Sequence, residues 1–402
     1  MRPFAKWRPA LGLALLLSCA AVLLAACGGG GSSSSSESTT AGGSEETTAS
    51  STEGGSESAG GEGGTVAGIP APVTSPPTEI PITTPLKEKP KPQKVTWLAC
   101  SLPVCQAALS EGYHQAGAAL GWPIKQINYE TLKAAEGVQQ ALNENPDFIQ
   151  ITGVPVAVYE PQAKEAIKKE IPIISGYDTT PAEPEVNGLW YQYSNGQNGS
   201  GAQGEEIARW IAQDSEGKGK AVSVAIGEYP ILTAEIEGIE KVFAKAPEMS
   251  LETVEVTSEE VGEGKVPNKV VAFLQSHPET EYIEYTFSDL ATGMTAALQG
   301  AGLTSVTQVG VNASPAVVKE IADGKQAAWT EQPSLYGDWL AMDAAARISE
   351  GMPLEKYQEE GALPTYVVAG EESANELLAN EKGEWGGPAG FEEKFEELWG
   401  VK

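Results

Sequence analysis

The chain has 402 residues, enough for two domains of ordinary size. Its 55 acidic residues outnumber the 26 basic ones, and the formal net charge is −29. This charge argues against nucleic acid and anionic lipid surfaces as partners, because both need a positive protein surface. Only two histidines and four cysteines are present, so few residues are available for metal binding or nucleophilic catalysis.

The first 27 residues have the layout of a secretory signal. Three basic residues precede an apolar run, 11–24, that is shorter than a membrane-spanning helix of about 20 residues. The segment LAAC (24–27) resembles the lipobox of bacterial lipoproteins. That resemblance implies cleavage of a 1–26 signal peptide, lipid attachment at Cys27, and an extracytoplasmic location anchored to the cell membrane. An uncleaved anchor helix is the alternative.

Residues 27–93 are predicted to form a disordered linker. The stretch 28–64 contains no aromatic residue and only Glu as a charged residue, so it cannot bury a core. Proline-rich segments follow up to residue 93, and these favour extended polyproline conformations. We therefore expect a tether that holds the folded part of the chain away from the membrane.

From residue 94 onward, short apolar runs alternate with segments of helical periodicity. VTWLACS (95–101) and DFIQITG (147–153) are typical of buried strands, and EPQAKEAIKKE (160–170) is typical of a helix between strands. This alternation predicts an α/β architecture of parallel sheets covered by helices on both faces. A single sheet of ten or more strands would be unusual, so we predict two doubly wound parallel-sheet domains.

Cys100 and Cys105 lie where the first predicted strand passes into the first predicted helix. Their spacing differs from the C-x-x-C redox motif, and with two scattered histidines they do not make a zinc site. Outside the cytoplasm the compartment is oxidising. We therefore predict a disulfide that holds this loop in shape, with two free thiols as the alternative.

Polar and aromatic residues stand at the carboxyl ends of several predicted strands. In open α/β sheets this edge is where ligands bind, although the same residue types also cap the helices that follow. For the set as a whole, we predict convergence on one cleft. The residues are Ser101, Tyr177, Asp178, Tyr193, Asn195, Glu228, Tyr229, Ser288, Asp289, Asn312 and Gln332.

Enzyme motifs are sparse. His114 lies within a predicted helix, and His277 precedes a proline at a helix end. GSGAQG (199–204) fits the dinucleotide pattern G-x-G-x-x-G, with Glu228 near the place of a ribose-binding acid. The preceding WYQYSN is not an apolar strand, so we interpret the glycines as a crossover between domains. We predict no catalysis, no metal and no cofactor; an extracytoplasmic enzyme using a cysteine or this loop is the alternative.

Several segments, in order and spacing, resemble the ribose-type (type I) periplasmic binding proteins, the solute receptors of ABC importers. IPIISGYDTT (171–180) is similar to the family's fourth strand with its ligand-bonding Asp, and FSDLATGMTAAL (287–298) is similar to a segment with Asp before a helix. AAWTEQPSLYGDWLAMDAA (327–345) is similar to the return crossing, whose Gln contacts ligand. The likeness runs from Val95 to Lys402.

The resemblance implies two domains, 94–194 plus 333–366 and 195–332 plus 367–402, joined by a multi-strand hinge that closes on ligand. It implies a monomer that binds a small polar ligand, a sugar or sugar-like molecule, and docks on an ABC permease. A ligand-sensing receptor for a membrane signalling protein is the alternative. No Arg follows Asp178, which argues against a simple pentose or hexose. The expected ligand-binding residues are Ser101, Tyr177, Asp178, Tyr193, Tyr229, Asp289, Asn312 and Gln332.

Overall fold

The computed structural model of the protein describes residues 65–101, 103–106, 108–380 and 382–402. The predicted signal peptide 1–26, the lipid attachment site Cys27 and the first part of the predicted linker lie outside these residues. Among the described residues, no helix has both the length and the apolar character needed to cross a membrane.

The N-terminal domain is built on a sheet of five parallel strands in the order β2-β1-β3-β4-β5. Val95 of β1, the second strand in this order, pairs with Ile124 on one side and Phe148 on the other. Every residue of β1 and β3 is buried, as expected for strands covered on both faces. The strands are β1 Val95–Cys100, β2 Ile124–Tyr129, β3 Phe148–Thr152, β4 Ile173–Gly176 and β5 Leu189–Tyr193.

The C-terminal domain is built on a sheet of six strands in the order β11-β10-β9-β8-β6-β7. Its pairs are parallel except for the last strand, β11, which runs antiparallel to β10 with Val368 opposite Trp329. The strands are β6 Lys220–Ile226, β7 Ser250–Val256, β8 Tyr282–Tyr285, β9 Thr307–Gly310, β10 Ala328–Glu331 and β11 Tyr366–Ala369. The predicted α/β architecture of two doubly wound sheets is confirmed.

Helices connect the strands. The longer ones are α2 Ala108–Leu120, α3 Ala134–Asn143, α4 Glu160–Lys169, α6 Gly201–Asp214, α7 Pro230–Phe243, α9 Val266–Ser276, α10 Met294–Ala301, α11 Pro315–Ala322, α12 Ser334–Ser349, α14 Gly370–Leu378 and α15 Phe391–Trp399. The shorter ones are α1 Pro103–Gln106, α5 Pro184–Asn187, α8 Ser258–Gly262 and α13 Lys356–Glu360. Single turns of 3-10 helix occur at Thr131–Lys133, Val156–Tyr159 and Ser288–Ala291, and a π-helical turn occurs at Gly196–Ser200.

The chain passes between the two sheets at three neighbouring segments. The first follows β5 at Ser194, the second follows β10 at Gln332, and the third, 361–365, leads into β11. They lie side by side, because Ser194 Oγ donates a hydrogen bond of 2.8 Å to Gln332 Oε1 and Asn195 N donates one of 2.8 Å to Gly361 O. These three segments are the candidate hinge.

The glycines of GSGAQG have a packing role. A Cβ on Gly204 would lie 2.1 Å from the carbonyl oxygen of Glu235, and a Cβ on Gly238 would lie 2.1 Å from that of Gly201. Only glycine therefore lets the backbones of α6 and α7 approach so closely. The close contact between these two helices accounts for the pattern and agrees with its interpretation as a domain crossover.

The last helix departs from the predicted domain division. The sequence-based boundaries gave 367–402 to the C-terminal domain, but α15 packs into the core of the N-terminal one. Trp399 stacks on Trp339 with 5.2 Å between ring centroids, and Trp399 Nε1 donates a hydrogen bond of 2.8 Å to Asp343 Oδ1. Helix α15 thus completes the core of the N-terminal domain.

The predicted linker is also shorter than 27–93. Residues 65–86, which we name the strap, are packed against the rest of the protein. Ile69 and Ile82 are completely buried, the first in the C-terminal domain and the second in the N-terminal domain. The part of the linker prediction that covers 65–93 is therefore corrected, because isolated apolar residues in this proline-rich stretch find buried positions.

Candidate functional site

The carboxyl ends of the two sheets come together at a cleft. Tyr129 is the last residue of β2 in the N-terminal domain, and Tyr229 follows β6 in the C-terminal domain. Burial raises the pKa of the Tyr129 hydroxyl, and the neighbouring Tyr229 raises it further. Nearer the hinge, Tyr177 Oη lies 3.3 Å from Ser334 Oγ, and Glu331 contributes to a raised pKa of Tyr177 behind the larger effect of burial.

A disulfide shapes the first loop at this edge. Cys100 and Cys105 are bonded, with 5.4 Å between their Cα atoms, which confirms the predicted pairing. Gln106 Nε2 donates to the carbonyl oxygen of Cys100, and Ser110 Oγ donates a hydrogen bond of 2.8 Å to that of Cys105. Ser101, a predicted site residue, stands exposed between the two cysteines. The loop that carries Ser101 is thus fixed at both ends.

Tyr177 and Asp178 follow β4, so they lie at the carboxyl end of a strand as predicted. Tyr177 has a left-handed backbone with φ of 51°, a conformation that costs a bulky residue about 1 kcal/mol or more and is concentrated at functional sites. Asp178 is 1% exposed. Its Oδ1 accepts from Thr180 N at 2.8 Å and its Oδ2 from Ser175 Oγ at 3.1 Å. Burial raises the pKa of Asp178, although these hydrogen bonds oppose the shift.

Tyr193 lies in the core of the N-terminal domain. It is completely buried, and its hydroxyl lies 3.2 Å from Tyr113 Oη and donates to Asp338 Oδ1 at 3.1 Å. The residue is the last of β5, but its side chain shares the buried face of that strand with Tyr191. The structure thus directs this predicted ligand-binding side chain away from the cleft.

Two predicted residues of the C-terminal domain stand at strand ends. Asp289 lies in the 3-10 turn after β8, and its buried Oδ2 has no hydrogen-bond partner among the described residues. Burial raises the pKa of this carboxyl. Asn312 follows β9 with a left-handed φ of 55°, and its backbone N–H donates to Thr330 Oγ1 at 3.3 Å. Both side chains are half-buried.

Gln332 joins the three hinge segments. Its Oε1 accepts hydrogen bonds from Ser194 Oγ at 2.8 Å and Gln203 Nε2 at 3.1 Å, while its Nε2 donates to Thr365 Oγ1 at 3.0 Å. The side chain is 5% exposed. The amide predicted to bind ligand is thus engaged mainly with the hinge itself.

Four further polar side chains were missed by the sequence reasoning. Tyr129, Thr152 and Glu331 end β2, β3 and β10, so the strand-end rule could have found them, whereas Tyr159 ends a 3-10 turn and carries no such signal. Tyr129 Oη, Tyr159 Oη and Glu331 Oε1 are buried without a hydrogen-bond partner in the described part of the chain, whereas the Thr152 hydroxyl interacts with the buried Tyr113.

Glu331 is a deeply buried acid at the second hinge segment. It is 4% exposed, and its Oε2 accepts a long hydrogen bond of 3.4 Å from Trp385 N. Burial raises the pKa of this carboxyl well above its ordinary value. Glu331 therefore favours its protonated form unless a hydrogen-bond donor or a cation reaches the free oxygen.

The polar groups at the cleft are hydroxyls, amides and carboxyls. None of the predicted or added site residues carries a positive charge. Within the ranges that the structure describes, no group of three or more His, Cys, Asp or Glu side chains could hold a metal ion. Such a site can accept hydrogen bonds from a donor-rich molecule but has no group to neutralise an anion.

Residues 105–352, more than half of the chain, match the model of a family described as the periplasmic binding protein domain. The chain belongs to this family. Periplasmic binding proteins of this kind are extracytoplasmic, and the two doubly wound sheets agree with the type I fold. Among curated proteins, no sequence matches this one.

Solved structures of other periplasmic binding proteins share the fold. A 5-methylthioribose transporter solute-binding protein from Thermotoga lettingae is 15% identical, with a TM-score of 0.63 over 80% of this chain and 100% of its own. A carbohydrate transporter protein from Acidothermus cellulolyticus, in complex with myo-inositol, is 16% identical, with a TM-score of 0.60 over 73% and 99%. An ABC transporter solute-binding protein from Mycobacterium smegmatis with bound glycerol is 18% identical, with a TM-score of 0.62 over 73% and 100%.

Neither histidine of this periplasmic binding protein contributes to the cleft. His114 Nε2 lies 3.3 Å from Gln126 Oε1 on an exposed surface of α2 and β2. His277 stacks on Phe273 at the end of α9 with 4.0 Å between ring centroids. Both residues thus have local packing partners, in agreement with their interpretation as helix residues.

Proposed function

We propose that the protein is the extracytoplasmic solute-binding component of an ABC importer. It is anchored to the cell membrane by lipid at Cys27, binds one small polar ligand between its two domains as a monomer, and delivers that ligand to a membrane permease. Family membership supports the transport role. The acidic net charge of −29 is in keeping with a receptor that does not bind nucleic acid.

One observation carries the proposal: both domains have a buried polar atom without a partner at, or just after, the carboxyl end of a strand. Tyr129 Oη belongs to the N-terminal domain, and Asp289 Oδ2 and Glu331 Oε1 belong to the C-terminal domain. A buried polar group without a partner costs about 1–3 kcal/mol. A ligand that offers hydroxyl or amino groups to these atoms would recover that energy, and it would do so only when it touches both domains.

The chemistry of these atoms narrows the ligand to a neutral or cationic molecule rich in hydrogen-bond donors. Asp289 and Glu331 accept hydrogen bonds when ionised and both donate and accept when protonated. A phosphate or carboxylate would meet these acids without a compensating base. Polyols, sugars and amino sugars satisfy the requirement, and the bound glycerol and myo-inositol of two proteins with this fold belong to the same chemical class.

Ligand binding is proposed to close the two domains about the three hinge segments. The hydrogen bonds of Gln332 keep these segments aligned, so the domains rotate as units while the hinge residues absorb the change. Ser194 already has a left-handed φ of 51° at the first crossing. The cleft residues that close on ligand are then Ser101, Tyr177, Asp178, Tyr229, Asp289 and Asn312, together with Tyr129, Thr152 and Glu331.

Calorimetric titration of the purified full chain tests the proposal. The ligands are glycerol, myo-inositol, neutral sugars and amino sugars, each sugar paired with its phosphorylated counterpart. We expect at least one neutral or cationic member to bind and its phosphorylated counterpart to fail. Selective binding of the phosphorylated forms would refute the ligand class.

Two variants test the site. Asp289→Asn and Glu331→Gln keep side-chain size while changing the hydrogen-bond pattern. Each should raise the dissociation constant of the ligand by about tenfold, the equivalent of one charged hydrogen bond. Glu279→Gln, an exposed substitution of the same chemistry, serves as the control. Unchanged affinity in both cleft variants would remove these residues from the site.

A further inference from the structure

The strap makes a connection between the two domains that is separate from the three hinge segments. Its first half is fixed to the C-terminal domain. Ile69 is buried beside α6, and its carbonyl oxygen accepts a hydrogen bond of 3.1 Å from Gln213 Nε2. Val73 N donates to Glu206 Oε2 at 2.8 Å, and Val73 O accepts from Val367 N of β11 at 2.7 Å. The buried Ile69 side chain and these backbone hydrogen bonds together attach the first half of the strap to the C-terminal domain.

The second half of the strap is fixed to the N-terminal domain. Ile82 is buried in its core, and Thr84 N donates to Glu355 Oε1 at 2.7 Å. The buried Arg347 donates from Nη2 to Thr84 O at 2.7 Å and from Nε to Asp343 Oδ2 at 2.6 Å. At the end of the strap, Leu86 N donates to Leu398 O of α15 at 2.7 Å.

Between these attachments runs a short exposed stretch, 74–79. It contains Pro76 and Pro77, and Pro81 follows just before the second attachment. Proline-rich chain adopts the extended polyproline conformation, which rises about 3.1 Å per residue and behaves as a semi-rigid spacer. Such a span resists bending more than a glycine-rich chain of the same length.

The strap follows the third hinge segment. Val73 is bonded to Val367, and Thr83 and Thr84 are bonded to Glu355, so residues 73–84 run alongside residues 355–367 in the opposite direction. Any rotation that bends the third hinge segment must also bend or stretch residues 74–79. A stiff element on one side of a hinge restricts the range of that rotation.

We propose that the strap is a fourth interdomain connection that stiffens the hinge and sets how far the ligand-free domains open. The proposal goes beyond solute binding, because it concerns the resting separation of the domains. It also gives the proline-rich segment after the membrane tether a defined role. Its mechanical basis is the pair of attachments, at Val73 and at Ile82 with Thr84, on either side of a short polyproline span.

Spin labels on the two domains measure the effect directly. We would place them at cysteines introduced for the exposed Glu136 of α3 and Glu259 of α8, in full-length protein with Cys19 and Cys27 changed to Ser. The bonded pair Cys100 and Cys105 does not react. Pulsed electron–electron double resonance on ligand-free protein then gives the distribution of distances between the two spin labels.

The test variant inserts Gly-Ser-Gly-Ser-Gly-Ser between Thr78 and Glu79, which keeps every attachment and adds at most about 20 Å of contour. The matched control carries the same insertion between Gly63 and Gly64, ahead of the strap. We expect the first insertion to broaden the distance distribution and lengthen its mean by about 5 Å or more, within the added contour. The distance distribution of the control should superimpose on that of the parent protein.

A second variant, Pro76→Gly with Pro77→Gly, softens the span without lengthening it and should broaden the distribution with a smaller change in its mean. Superimposable distributions for the parent, the insertion and the double substitution would overturn the proposal. Thermal unfolding confirms that each variant is folded. The distances are recorded without ligand, so the result does not depend on whether an added sugar closes the cleft. Closure by an added sugar is a separate measurement, and it tests solute binding.

Discussion

Two buried glutamates in the C-terminal domain should make the protein less stable as the pH rises toward neutrality. Glu235 of α7 and Glu284 of β8 are 1% and 0% exposed. Ser223 Oγ donates to Glu284 Oε2. Burial raises the pKa of Glu284 from its ordinary 4.5 to about 7, and burial together with the nearby Glu284 raises the pKa of Glu235 well above its ordinary value.

The sign follows from proton binding. Between pH 4.5 and 7 the folded protein keeps the proton of Glu284 that the unfolded chain has released, so the free energy of unfolding falls as pH rises. The interval from 4.5 to about 7 corresponds to about 3 kcal/mol at about 1.4 kcal/mol per pH unit. This stabilisation is complete below pH 4.5 and is lost by about pH 8.

Replacing Glu284 with Gln removes the titrating group and retains an acceptor for Ser223. Urea unfolding, followed by fluorescence at intervals from pH 5 to pH 8, should show a shallower decline for Glu284→Gln than for the parent protein, with a difference of about 3 kcal/mol across the range. The variant also removes the effect of Glu284 on the pKa of Glu235, which makes the decline shallower still. The exposed Glu279→Gln should keep the parental slope. Equal slopes for Glu284→Gln and the parent would refute the reasoning.

Three further predictions concern stability and assembly. Trp399→Ala should destabilise the protein by about 3–5 kcal/mol in urea unfolding, because it empties a core position and removes the hydrogen bond to Asp343 Oδ1; a loss under 1 kcal/mol would contradict the packing of α15. Gln332→Ala should lower the melting temperature of ligand-free protein, since Ser194, Gln203 and Thr365 each lose a hydrogen bond. An unchanged melting temperature with weakened ligand binding would instead favour a direct ligand contact. Cys27→Ser should abolish palmitate incorporation, whereas Cys19→Ser should not; retained label in Cys27→Ser would exclude the lipid site.

The sheets were predictable because strand burial leaves a strong local pattern. Runs such as VTWLAC are apolar throughout, and parallel strands covered on both faces require this. The direction of Tyr193 could also have been deduced. It lies two residues from Tyr191 and four from Leu189, so strand alternation places all three on one face, which the structure shows to be buried.

The domain into which isolated apolar residues pack could not be deduced in the same way. The pattern FEEKFEELW predicts a helix with one apolar face, but it does not say which domain that face contacts. In the strap, Ile69 and Ile82 stand among prolines and polar residues, so the average composition resembles a tether. Ile69 O bonds to Gln213, 144 residues away in sequence, and Thr84 N bonds to Glu355, 271 residues away, and a local pattern does not reveal such partners.

The return of α15 to the N-terminal domain has a consequence for the order in which the protein can fold. All five strands of that domain's sheet precede residue 194, yet its core is incomplete without Phe395 and Trp399. The C-terminal domain, encoded later, has no such requirement for the final helix. A nascent or translocating chain can therefore assemble its second domain first, while the sheet of the first domain waits for residues 391–399 to complete its core.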